Sequence, residues 1–251
     1  MATALLATDP LERDLDSFGA RTPTFFEFQN ISDGLEAAGH PDLAQIPRLY
    51  YVLRTIQLLD ALPIFIAHGA TDMWFPFPKP LLRGLITDYD LQKLFHETEE
   101  SIYATELPLG SFRGHLNFED EGSVGFEDEK RSLGDGKSGN VYAVRIRSTN
   151  RVLAQKVIWR TKTESSHREC MTAFTRELKV LRQVHHQHCV ELVASYTESD
   201  TVVLLFDPVA DMNLAKLLEE TKLDATQKKV LGKSLGCLSS ALLYLHNNDI
   251  R

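Results

Sequence analysis

Gly134, Gly136 and Gly139 stand in the run Leu133-Gly-Asp-Gly-Lys-Ser-Gly-Asn-Val141 as G-x-G-x-x-G, a spacing that lets a backbone approach phosphate oxygens closely. Glycines at this spacing also make plain tight turns, so the flanking residues must choose between the two readings. A dinucleotide-binding fold needs a helix directly after the third glycine, with its N-terminus on the pyrophosphate. Here Asn140 to Arg147 is β-branched and aromatic, which reads as a strand. The triplet Gly136-Lys137-Ser138 imitates the end of a Walker A loop, yet Arg131 occupies the place of that loop's first glycine and again no helix follows. What remains is a glycine-rich turn joining two antiparallel strands.

The elements that follow carry two charged groups of interest. Arg151 to Ile158 is a second strand, set off from Asn140–Arg147 by a Ser-Thr-Asn turn, so the two form a hairpin. Alternation puts Ala154 and Lys156 on one face and Gln155 on the other. A strand lysine is ordinarily a solvated edge group. Met171 to Val184 places Phe174, Leu178 and Leu181 at helical spacing, with Glu177 in the middle of that helix and Glu169 near its start. Glu177 has a bland reading as a surface carboxylate paired with Lys179 or Arg182. Val190–Tyr196 and Val202–Phe206 supply two more strands, giving the order strand, strand, helix, strand, strand.

With the glycine turn, Val141 two residues past its third glycine, Leu153-Ala-Gln-Lys156 in a V-A-I-K-like setting and a carboxylate on the next helix, residues 126–251 resemble the first half of eukaryotic protein kinases. His186-Gln-His-Cys-Val190 looks like that family's H-P-N-I-V turn, with glutamine where proline is usual, and Val202–Val209 looks like its fifth strand and hinge. The resemblance implies an α+β fold: a kinase-like N-lobe with a five-stranded antiparallel sheet and an αC-type helix, then C-lobe helices. It implies that Gly134, Gly136 and Gly139 cover the phosphates of ATP, that Lys156 pairs the α- and β-phosphates, and that Glu177 positions Lys156. By the same similarity Leu133, Val141 and Ala154 border adenine, Phe206 is the gatekeeper, and backbone groups of Asp207 and Val209 bond the base. Asp211 or Asn213 would meet ribose, and Leu181 and Leu192 would pack behind the lysine. Gln227 to His246 resembles the helix that precedes the catalytic loop, so the catalytic aspartate, the Mg2+ ligands and the activation segment are expected beyond Arg251. The implied function is the ATP-binding portion of a serine/threonine kinase that phosphorylates protein hydroxyls, inactive as this chain alone. The alternative is a non-enzymatic pseudokinase or interaction scaffold.

The rest of the chain bounds this reading. Its 251 residues, 43% apolar and 25% charged, allow one large or two modest globular units. A net charge of -8 argues against broad attraction to nucleic acid or anionic membrane. Three cysteines far apart, Cys170, Cys189 and Cys237, form neither a disulfide framework nor a zinc ribbon, so a reducing intracellular compartment, cytoplasmic or nuclear, is expected. The histidines at 185, 186 and 188 read as loop packing rather than a metal site. Residues 1–106 are expected to be a helical extension with a partner of its own, 107–125 a linker, and 126–251 the partial kinase domain. Within the extension, Met1 to Asn30 reads as a loosely packed lead-in, Asp42–Leu62 as a helix starting near Ile46, Asp72–Pro80 as an aromatic turn, and Asp88–Tyr103 as a second helix. The apolar residues of Gln227–His246 cover more than one helix face.

Overall fold

The computed structural model describes residues 10–104, 107, 114–119, 124–127, 130–136, 139–161, 163–219 and 223–250. The chain is α+β, with a six-stranded sheet in the order β1-β5-β6-β4-β3-β2. The strands are β1 (His115–Asn117), β2 (Arg131–Gly136), β3 (Gly139–Arg145), β4 (Val152–Trp159), β5 (Glu191–Thr197) and β6 (Thr201–Asp207). The five expected strands are β2 to β6, each antiparallel to the others it pairs with. β1 is an addition, pairing parallel to β5 from inside the stretch read as a linker. Its three residues are too few to show alternation, and side chains hold it instead. His115 Nδ1 lies 3.0 Å from Ser195 Oγ and Nε2 2.6 Å from Thr197 Oγ1. Burial, with Arg182, Arg48 and Arg160 nearby, pushes the His115 imidazole well below its usual range.

Nine helices are described: α1 (Pro10–Asp16), α2 (Phe25–Ala37), α3 (Pro47–Thr55), α4 (Leu62–Ala67), α5 (Lys79–Leu85), α6 (Tyr89–Glu100), α7 (Glu164–Gln183), α8 (Leu214–Glu219) and α9 (Ala225–Asn247). From Pro10 on, the lead-in is more closely packed than its composition indicates. Leu11, Leu15 and Phe28 are buried, and α2 opens on a capping box in which Glu27 N donates to Thr24 Oγ1 and Thr24 N donates to Glu27 Oε2. The single helix read over Asp42–Leu62 is instead a 3-10 turn, α3, and a second 3-10 turn leading into α4. Pro47 and Pro63 each sit in a first turn, and Gln57 ends the α3 stretch in a left-handed conformation at φ 58°. The helix read from Met171 begins seven residues earlier, at Glu164.

Two apolar cores flank the sheet. Leu116, Val144, Leu153, Tyr196, Val203 and Leu205 form one, while Val202 and Leu204 face the other with Met171, Phe174 and Leu178 of α7. That second core runs without a break into the extension, through residues such as Leu49, Leu53, Phe65, Trp74, Phe75 and Phe95.

Buried polar groups tie the extension to the sheet at the segment 72–77. Arg160, just past β4, donates to the carbonyls of Trp74, Pro76 and Glu198 at 2.6, 2.9 and 3.0 Å. Asn117 of β1 donates to the Phe75 carbonyl at 2.7 Å and to that of Asp72 at 3.3 Å, and it also receives the Arg48 guanidinium. The Asp72 carboxylate accepts from Arg48 N and Leu49 N, both at 2.9 Å, closing the first turn of α3. Burial pushes Arg48 and Arg160 down to about 10 and Asp72 up to about 6, so these groups are held by geometry at an electrostatic cost. At the end of the segment, Phe77 N donates to the buried Glu99 at 3.0 Å.

At the other end, α9 docks on the turn between α7 and β5. His185 N donates to Tyr244 Oη at 2.8 Å, Tyr244 Oη donates to the Gln183 carbonyl at 3.1 Å, and the His186 ring stacks on Tyr244 at 5.0 Å. The histidine turn is thus a packing surface. Ala241 is buried there, whereas Val230, Leu235, Leu238, Leu242 and Leu243 are exposed. No helix among the described residues is long and apolar enough to cross a membrane.

Two stability predictions follow from these buried groups. Arg160→Met strands three carbonyls away from water, and should cost roughly 3 kcal/mol in urea denaturation; a loss under about 1 kcal/mol would mean the carbonyls find other partners. The His167 imidazole, fully buried at the start of α7, is held down to about 4 by burial and by Arg160. Its folded pKa is depressed, so the unfolded chain takes up the proton first as pH falls below the ordinary histidine value of about 6.5, and stability is lost between there and about 4. His115 acts in the same direction, while Asp72, taking up its proton near 6 in the folded state, opposes them. Glu99, pushed up by burial, opposes them as well. His167→Gln should therefore raise the stability at pH 5 relative to that at pH 7 when compared with the parent, measured by urea denaturation at the two pH values.

Candidate functional site

The residues singled out by type and spacing converge on one face of the sheet. Val141, Lys156 and Leu204 lie directly opposite one another across β3, β4 and β6, and Gly134 of β2 is opposite Val141. One pleat along, Ala143, Ala154 and Phe206 form a second row, extended by Leu192 of β5. Residues directly opposed share a face, so Ala154 and Lys156 stand beside Val141, as alternation predicts. Gln155 points to the other face, where it donates to Tyr196 Oη at 2.8 Å.

Lys156 Nζ donates to Glu177 Oε1 at 2.7 Å. The lysine side chain is 19% exposed and the glutamate 38%, so the pair, on the face of an interior strand, is only partly shielded from solvent. Partial exposure keeps its contribution to stability small. Its effect is positional, because the ammonium is held over the Val141–Ala154 face. Glu177 reaches it because Met171, Phe174 and Leu178 set the rotation of α7 by burying the neighbouring stripe. The carboxylate is therefore turned toward β4 and not left to Lys179 or Arg182. Leu181, one turn on, and Leu192 both pack against the core behind the pair.

The glycine turn has the geometry its residue types require. Gly136 and Gly139 close the β2–β3 hairpin, while Lys137 and Ser138 lie outside the described residues. The pairing slips between Ser132 and Gly134, making Leu133 a bulge residue on the strand that overhangs Val141. Gly139 has φ 144°, and a Cβ there would run into the Val157 carbonyl oxygen and crowd Ile158, so no other residue fits. Gly134 has φ 149° with open space around it. Backbone amides of such a turn, above a fixed ammonium, make a surface suited to an anion.

At the far end of β6 the Asp207 carboxylate accepts from Arg151 at 2.8 Å, Asp207–Pro208 is cis, and Val209 is half-buried. Asn213 is committed locally, its Oδ1 accepting from Lys216 N at 2.9 Å at the start of α8. The buried groups at 48, 115, 160 and 167, and the half-buried Asp72, escaped the sequence reading, since periodicity treats charged and imidazole side chains as surface. One signal was legible: Asp72 stands at the head of the aromatic turn. The steric contrast within the glycine turn gives a direct test. Gly139→Ala must shift the Val157 backbone as well as bear the backbone strain of about 1–3 kcal/mol that Gly134→Ala bears alone, so it should lower the urea midpoint more. Equal midpoints would show that the hairpin relaxes freely.

Comparison with known proteins agrees with this geometry. The family described as "Protein kinase domain" matches residues 127–251. Similar proteins include an Aurora kinase of Yarrowia lipolytica, 29% identical over 156 residues, covering 61% of this chain and 40% of the relative. Aurora kinase A-A of Xenopus laevis is 29% identical over 121 residues, covering 48% and 28%. The Arabidopsis thaliana serine/threonine-protein kinase Aurora-1 is 26% identical over 123 residues, covering 49% and 40%. The matched segment thus spans two fifths or less of each of these relatives. Glycine turn, strand lysine, helix carboxylate and family match coincide on the same residues, and through residues 127–251 the chain belongs to the eukaryotic-type protein kinases.

Proposed function

We propose that this chain carries the nucleotide-holding part of a serine/threonine protein kinase, which in complete form transfers the γ-phosphoryl group of Mg-ATP to hydroxyls of protein substrates. The observation that carries the reading is the 2.7 Å bond from Lys156 Nζ to Glu177 Oε1, beneath the glycine turn. An ammonium fixed in this way can donate to the α- and β-phosphate oxygens without first losing side-chain freedom. Gly134, Gly136 and Gly139 leave room for phosphates against the backbone, and Gly139 lets the turn lie close against the Val157 carbonyl of β4. Leu133, Val141 and Ala154 offer an apolar surface for the adenine ring, Phe206 bounds it, and the backbone at Asp207 and Val209 follows at the strand end. ATP, when bound, supplies the phosphoryl group that is transferred.

The serine/threonine assignment is supported by the names of the similar proteins, among them a serine/threonine-protein kinase from Arabidopsis thaliana. Among the described residues no three His, Cys, Asp or Glu side chains are grouped to hold a metal ion. Nucleotide binding reads the residues assigned here directly. The thiols of Cys170, Cys189 and Cys237 are free, which suits a reducing compartment inside the cell.

The test is a titration of the 251-residue chain with ATP. Lys156→Met should weaken binding about tenfold or more, a loss of about 1.4 kcal/mol per decade. Unchanged affinity in a folded Lys156→Met chain would remove the assignment.

A further inference from the structure

The ion pair between Lys156 and Glu177 is one link of a closed mechanical circuit. β4 carries Lys156 and, four residues on, leads to Arg160, whose guanidinium grips the Trp74 and Pro76 carbonyls of the extension. Trp74, itself 2% exposed, sets its ring edge-on to His167 of α7 with centroids 4.6 Å apart. One residue earlier, Met73 Sδ lies 3.3 Å from Thr175 Oγ1, two positions before Glu177. The Met73 carbonyl accepts from Thr197 of β5 at 3.4 Å, so this segment is fastened to the sheet on one side and to the helix on the other. Glu177 then returns to Lys156 and closes the loop.

A helix that only needed its apolar stripe covered would be served by any greasy surface. Here the covering segment is itself bolted, through buried and fully directional hydrogen bonds, to the strand that bears the lysine. Those bonds fix the distance between β4 and α7 independently of the pair that spans them. We propose that the helical extension is a built-in brace for α7, in which Met73 and Trp74 are positioning residues that set Lys156 through Glu177. The inference rests on the reading of Lys156 and Glu177 as a nucleotide site, but its structural half can be measured without nucleotide.

The experiment uses the whole chain and two readouts: the rate at which an amine-reactive acetylating reagent labels Lys156, followed by peptide mass spectrometry, and affinity for ATP by titration. A Glu177→Gln chain sets the labelling rate of an unheld ammonium. Trp74→Ala and Met73→Ala should raise Lys156 labelling toward that rate and weaken ATP binding about fivefold or more, with helix content by circular dichroism retained. Trp74→Phe, which keeps an aromatic edge against His167, should behave as the parent does. If both alanine variants fold and label Lys156 at the parental rate, the extension is ordinary packing and the brace is refuted. If Trp74→Ala does not fold, Met73→Ala alone decides. A Glu177→Gln chain that labels no faster than the parent also refutes the brace, because the pair then does not hold the ammonium. Failure of the nucleotide reading looks different: Lys156→Met binds ATP like the parent, while the labelling results still judge the brace.

Discussion

Backbone carbonyls that are folded away from water must find donors, and in this chain the carbonyls of residues 72–76 find theirs on the sheet. Arg160 just past β4, Asn117 of β1 and Thr197 of β5 supply the hydrogen bonds. Leaving even one such acceptor bare costs on the order of 1–3 kcal/mol. The segment therefore cannot slide or lift without breaking several bonds together, and everything packed against it inherits its position. α3 starts where Asp72 accepts its first amides, α6 is anchored where Glu99 receives Phe77 N, and α7 lies where Trp74 and Met73 meet it.

The chemistry at Lys156 depends on this placement more than on the strength of its own ion pair. A half-exposed carboxylate is a weak tether, competing with water and salt. What makes the 2.7 Å contact persist is the buried stripe of α7, which has no other orientation that satisfies Met171, Phe174 and Leu178 together. Burial fixes the direction, and the charges complete it.

How much of this could be read from residues alone varied with the range of the interaction. The hairpin, the lysine on the inner face of β4 and the carboxylate on α7 were legible because each follows from a local period: two for strands, 3.6 for the helix. The glycines were legible as a turn, although which of them is sterically obligatory appears only when Val157 is seen beside Gly139. β1 was missed because its pairing is specified by His115 and Asn117 side chains reaching residues more than forty positions away. The break after α3 was missed because one left-handed Gln57 interrupts an otherwise continuous apolar pattern. The packing of residues 10–37 was missed, because the capping box of Thr24 and Glu27 stands in a stretch with no sustained apolar period.

The shared core bears on where this chain can be divided. The change in composition near residue 107 looks like a seam, yet Met171, Phe174, Leu178, Val202 and Leu204 are covered in part by residues that precede it. A recombinant fragment begun at the seam would turn those side chains outward, where they favour aggregation over solubility. Expression boundaries for crystallisation or binding work therefore belong ahead of α1, with the helices retained.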